Sequence, residues 1–148
     1  MTASAAAPPI RLFSYGTLML GEVMELVAGR PFARRAAALA GFRRLGLREQ
    51  VYPAIVPARG ETLDGVLWEA LDPPALARID RFEGPLYERQ RLPVEVANGE
   101  IRSAFVYVLR PEHAGLLTDT AWDEATFRAR HLADFLAACR AFAGELRD

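Results

Sequence analysis

Apolar residues at Ile10, Leu12 and Phe13 lead into Tyr15-Gly16, and after this glycine the spacing changes. Ile10 to Ser14 therefore reads as a strand ending at a tight turn, while Leu20, Val23, Met24 and Val27 recur at helical intervals within Leu18 to Ala28. Gly29 to Pro31 stops that helix. Ala36 to Leu47 alternates well enough for one or two strands, and Pro53, Pro57 and Gly60 are expected to break up extended structure before a buried strand at Gly65 to Leu71.

Asp72-Pro73 has the form of an N-cap followed by proline at the first helical position, so a helix should run through Ala75, Leu76, Ile79 and Phe82 to a stop at Gly84-Pro85. Two strand-like runs then meet at Asn98-Gly99, the dipeptide favoured in a type I′ hairpin turn, where both central residues need positive φ. Thr120 to Leu146 reads as one helix opened by a capping box at Thr120 and Asp123. Phe127, His131, Phe135, Cys139 and Phe142 fall on one broad face of it, which should close over a β core. Short strands with antiparallel hairpin signals and two or three helices predict an α+β domain whose sheet curls into a small barrel, its openness or closure unread at this level. Residues 1–9 are expected to be a loose tail and 10–148 a single domain.

Composition narrows the chemistry. With 51% hydrophobic and 25% charged residues the chain is of ordinary globular type, and a net charge of -1 supplies no field for nucleic acid or an anionic membrane. All 18 basic residues are arginine, so Schiff-base chemistry, P-loop phosphate binding and a lysine base are excluded. The single cysteine, Cys139, sits among Phe135, Leu136 and Phe142 and reads as a reduced, buried thiol of a cytoplasmic protein. No run approaches the length of a transmembrane helix, and the N-terminal residues lack the pattern of a signal peptide. His113 and His131 have no metal-ligand spacing, and Arg34, Arg35, Arg43 and Arg44 read as a solvated basic face.

The stretch IDRFEGPLYERQRLPVEV places an acid where an apolar surface is expected. At about 100° per residue, Glu83 lies almost over Leu76 with Ile79 beside it, so its carboxylate points coreward. Burial without a partner raises a glutamate's pKa and makes it a useful proton carrier near neutral pH. A competing reading pairs Glu83 with Arg89, and Asp80 lies close to the same stripe, so spacing leaves the choice between the two acids open.

Tyr15-Gly16-Thr17-Leu18 after the first strand, Tyr52-Pro53 in midchain and DRFEGPLYERQRLPV further on resemble, in order and separation, the gamma-glutamylcyclotransferase-like family, specifically its AIG2-like and gamma-glutamylamine cyclotransferase branch. The similarity spans roughly Leu12 to Leu109, and Trp122 to Phe127 is similar to the C-terminal helix of AIG2-like members. The resemblance implies a small mixed, mainly antiparallel β barrel with flanking helices. It implies Glu83 as general acid/base and Tyr15, Gly16, Thr17 and Leu18 as the loop that holds a gamma-glutamyl group through backbone amides. Tyr87 matches a further lining position, and Arg89 another commonly occupied one. The implied reaction is intramolecular: the α-amine of a small gamma-glutamyl substrate attacks its own γ-carbonyl, releasing 5-oxoproline and a free amine, with no cofactor or metal. The alternative is a binding protein on the same fold that turns nothing over. The leaving amine and the oligomeric state are not read from these residues.

Overall fold

The computed structural model describes residues 9–147, and the expected tail at 1–9 lies outside them except for Pro9. Five strands form the sheet: β1 (Ile10–Ser14), β2 (Arg34–Gly46), β3 (Pro53–Leu71), β4 (Tyr87–Val96) and β5 (Ile101–Leu109). They close into a barrel in the order β1-β3-β2-β4-β5. Every pairing is antiparallel except β1 with β5, which is parallel and registers Leu12 with Phe105. Four helices flank it: α1 (Gly21–Ala28), α2 (Pro73–Glu83), α3 (Glu124–Arg130) and α4 (Leu132–Arg147). None of them is long and apolar enough to cross a membrane.

Strand alternation divides the apolar residues into two cores. Phe13, Leu39, Leu67, Val94 and Val106 belong to a cluster drawn from the strands and Tyr15, which fills the barrel. Leu12, Trp68 and Leu109 belong to the second, where the outer sheet face meets Met24, Ile79, Phe127 and Cys139 of the four helices. Each core side chain buried here contributes on the order of 1.5–3 kcal/mol from apolar area alone. Cys139 is buried and its thiol is pushed up to about 11 by desolvation. It is expected to resist an aromatic disulfide reagent at pH 8 in the native protein and to react at once in denaturant; rapid native labelling would contradict that packing.

Three expectations change. The break foreseen at Pro53, Pro57 and Gly60 does not occur, because β3 runs unbroken through them. Its first half pairs only with β2, leaving the other side free of ladder bonds, which is where a sheet tolerates proline. The register shift between Ala40 and Phe42, opposite residues 58–61, takes up the bend.

The Asn98-Gly99 hairpin exists, but not as a type I′ turn: Gly99 has positive φ and Asn98 does not. The bonds Gly99 N–H to Val96 O and Val96 N–H to Glu100 O, each 2.9 Å, enclose a three-residue loop instead.

The C-terminal helix starts at Asp123, whose carboxylate accepts from Thr126 N at 2.8 Å. Thr120 is excluded from the cap because its carbonyl takes the Gly46 N–H at 2.9 Å, tying the segment to the end of β2. The helix is also interrupted at His131, which leaves helical geometry and is exposed, while Phe127 on the same expected face is buried.

Candidate active site

The acid comes from the last turn of α2. Asp72 caps this helix through Ala75 N at 2.9 Å, and Ala75 and Ile79 bury its apolar face. That register brings Asp80 and Glu83 toward the barrel rim, where their surroundings differ. Asp80 is fully engaged: Tyr107 Oη donates to Oδ1 at 2.5 Å and Arg89 Nη1 to Oδ2 at 2.7 Å. Arg89 thus serves Asp80, and the pairing with Glu83 is absent.

Glu83 has no hydrogen-bond or ion-pair partner among the described residues and opens into a cleft of about 140 Å³. The residue keeps some exposure through the mouth of this cleft, while the surrounding protein desolvates its carboxyl. Its pKa is pushed up to about 8, first by burial and then by the charge of Asp80. The negative end of the α2 dipole acts in the same direction. Asp80→Asn is therefore expected to lower the Glu83 pKa without returning it to 4.5, because burial, the larger cause, remains; a ¹³C titration of the Glu83 carboxyl measures it, and an unchanged midpoint would remove Asp80 from the account.

Opposite lies the turn after β1. Tyr15 sends its ring into the barrel, where its hydroxyl donates to Tyr107 O at 2.6 Å, and burial holds it neutral. Each carbonyl of this turn is engaged. Tyr15 O accepts from Arg44 Nη1 at 2.7 Å, Gly16 O from Met19 N at 2.9 Å and Thr17 O from Leu20 N at 3.1 Å. Leu18 O accepts from Trp68 Nε1 at 3.1 Å and Met19 O from the Arg34 guanidinium. The N–H groups of Thr17 and Leu18, which open the short 3-10 turn Thr17–Met19, find no partner within it. The turn thus presents donors and withholds acceptors, an arrangement suited to a carboxylate or a developing oxyanion.

Gly16 is required at closer quarters than a ligand: a Cβ there would lie 2.8 Å from Cδ and Cγ of Pro53. Pro53 in turn accepts the Tyr87 hydroxyl at 2.8 Å, so Tyr87 lines the cleft and holds β3 beside the turn.

Tyr15, Gly16, Thr17, Leu18, Tyr87 and Glu83 therefore line one cleft although they come from two distant parts of the chain. The sequence reading missed Ser14, Phe82, Tyr107 and Phe135 as lining residues and gave Tyr52 only a minor place. Ser14 is the most distinctive of these, because its buried hydroxyl has no hydrogen-bond partner. Its signal was a polar residue at the end of an otherwise apolar strand.

A sequence profile described as gamma-glutamyl cyclotransferase, AIG2-like matches residues 12–124, which include both the turn and Glu83. The chain belongs to this family. AIG2-like protein D of Arabidopsis thaliana is 31% identical over 137 residues, covering 91% of this chain and 90% of that protein. An AIG2-like protein from Mus musculus of known crystal structure superposes with a TM-score of 0.62 at 26% identity, covering 78% of this chain and 89% of the other. An Arabidopsis thaliana protein known from its solution structure shares the fold at a TM-score of 0.69 and 22% identity, covering 93% and 92% of the two chains. The closed mixed barrel with flanking helices is thus the AIG2-like fold.

Proposed function

We propose that this AIG2-like protein is a gamma-glutamyl cyclotransferase that converts a gamma-glutamyl amine or amide into 5-oxoproline and the free amine. The observation that carries the proposal is the pairing, across one small cleft, of a desolvated carboxylate without a partner and a backbone turn that offers only donors. A simple binding pocket gains nothing from the first of these, since an unpartnered carboxyl desolvated by the protein costs stability.

In the proposed reaction the γ-carbonyl oxygen faces the amides of Thr17 and Leu18, and the substrate's α-ammonium lies against Glu83. Glu83 takes a proton from the ammonium, and the freed nitrogen attacks the γ-carbon to close a five-membered ring. The tetrahedral oxyanion is held by the turn amides. Collapse breaks the bond to the leaving nitrogen, which receives the proton from Glu83. Over the full cycle two protons pass from the ammonium to the leaving amine, and one carboxyl with a pKa of about 8 carries each in turn. The nucleophile belongs to the substrate, so folding the chain into its cyclising shape is the cleft's main task, worth on the order of 7–11 kcal/mol in effective-molarity terms.

The test is 5-oxoproline release from a panel of gamma-glutamyl compounds by the wild type beside Glu83→Gln. Turnover that disappears in the variant supports the reading. Binding without turnover on every compound would replace it with a silent binding protein on the same fold.

A further inference from the structure

The basic run Arg43-Arg44 does not form one solvated face. Successive side chains of a strand point to opposite sides, and the register shift around Gly41, whose φ is 87°, exchanges the two sides of β2. Ala37 and Leu39 face the barrel core before the shift, and Phe42 faces it afterwards. Arg44 is next on that side and pairs in the ladder with Ile55 of β3. It therefore turns inward at the end of the barrel, while Arg43 turns outward to Glu61.

Arg44 is half-buried, and its guanidinium lies over the Trp122 ring at 5.6 Å. Among the described residues no carboxylate comes within ion-pair distance of it, and Asp64, Asp123 and Glu124 act on it only through space. Its hydrogen bonds go to the backbone: Nη1 donates to Tyr15 O at 2.7 Å and to Asp64 O at 3.4 Å. Desolvation lowers its pKa, but a guanidinium stays charged throughout the physiological range. A desolvated cation costs stability, and an uncharged amide would satisfy the same carbonyls. Hydrogen bonding alone therefore does not account for the charge.

Tyr15 O is the carbonyl that opens the donor turn. In a trans peptide the C=O and N–H point in opposite directions, so the bond from Arg44 turns the Gly16 N–H away from the guanidinium. The same bond polarises the peptide and makes that N–H a stronger donor. At the far end Arg34, from the start of the same strand, takes Met19 O. Thr17 and Leu18, whose amides face the γ-oxygen in the proposed reaction, lie between these two anchored carbonyls. None of the described residues lining the cleft is an arginine, so this positive charge stands behind the turn and not against the substrate.

We infer that Arg44 is a positioning residue of the reaction: it fixes the peptide that opens the donor turn and, through it, supports the negative charge that develops on the γ-oxygen. This rests on the cyclotransferase reading, to which it adds a residue outside the cleft.

Arg44→Lys keeps the charge, and Arg44→Gln keeps a donor without it. In Arg44→Gln, kcat for 5-oxoproline release should fall by at least about tenfold with KM changed less than about threefold, a loss confined to the transition state. Arg44→Lys should recover most of that loss. The bend near pH 8 should stay in place in both, because Arg44 is not among the charges that shift Glu83. Unchanged kcat in Arg44→Gln, an equal loss in the two variants, or a loss carried by KM would each overturn the inference. If Arg44→Gln does not fold, Arg44→Met, which keeps the apolar stem over Trp122, takes its place.

A second measurement needs no turnover. In the Glu83→Gln background, L-glutamate sets a full negative charge where the γ-oxygen charge develops, and L-glutamine sets a neutral amide there. Their calorimetric affinities give a glutamate-over-glutamine ratio that should fall at least about fivefold on adding Arg44→Gln and change little on adding Arg44→Lys. If wild-type protein releases no 5-oxoproline but the ratio still falls, the cyclotransferase reading fails and the support of an anion by Arg44 stands. A ratio equal in all three proteins would overturn the role of Arg44 whatever the chemistry.

Discussion

Glu83→Gln is expected to lower kcat/KM for 5-oxoproline release by roughly 10²–10⁴-fold, the range for removing a positioned general acid/base. The amide keeps the size of the side chain and cannot carry a proton, so substrate affinity should change far less than turnover. Wild-type kcat/KM should climb with pH on its acid limb as Glu83 ionises and bend near pH 8. A bend near the ordinary glutamate value of 4.5 would mean that the cleft does not desolvate this carboxyl.

Stability follows the opposite course. The folded pKa of Glu83 lies above its unfolded value, so between about pH 4.5 and pH 8 the native state binds more protons than the unfolded one, and stability falls as pH rises through that window. Glutamine lacks this loss. Glu83→Gln should therefore gain thermal stability relative to the wild type on going from pH 4 to pH 9, while having lost its activity. A difference in Tm that does not vary with pH would contradict the shifted pKa, and a variant that unfolds at both pH values would show that activity was lost with the fold.

The largest expected effect on stability comes from Gly65→Ala. A Cβ at this position would stand 2.4 Å from the Ser14 carbonyl oxygen and 2.6 Å from Phe13 Cζ, and neither neighbour is the free end of a flexible chain. β1 must then move off β3 where Ser14 pairs with Val66, one residue before the turn that holds the proposed oxyanion site. Overpacking of this kind costs about 1–3 kcal/mol, which for a domain of this size lowers Tm by roughly 2–12 °C. Gly144→Ala is the control: nothing lies within 4 Å of a Cβ there, and in the α4 interior the change should leave Tm level or slightly raised. Calorimetric scans of both variants decide the matter, and equal Tm values would show that the barrel yields at Gly65.

Features of the fold that were legible in the sequence are those set by neighbours along the chain. The Asp72 cap, the end of α1 at Gly29 and the reversal at Asn98-Gly99 each depend on a few adjacent residues. β3 was misread because the tolerance of Pro53 and Pro57 depends on which strands lie beside them, a fact created by closure of the barrel. The choice between Asp80 and Glu83 was hidden for a related reason. Helical spacing brings both acids to the rim, but Tyr107 and Arg89, which engage Asp80, come from β5 and β4. Phe135 could be placed on a helix face from its spacing, yet not in a cleft whose other walls lie far away in sequence.

The parallel seam between β1 and β5 sets the order of events on the ribosome. β1 finds its antiparallel partner once residue 71 has emerged, but its other edge waits for β5, which ends at Leu109, thirty-eight residues later. At a synthesis rate of about 5–20 residues per second, this exposed edge persists for roughly 2–8 s, long enough for a chaperone to bind or a neighbouring nascent chain to pair with it. The cleft is completed later still, when Phe135 arrives on α4. A nascent chain thus carries Glu83 well before it carries the finished cleft that surrounds it.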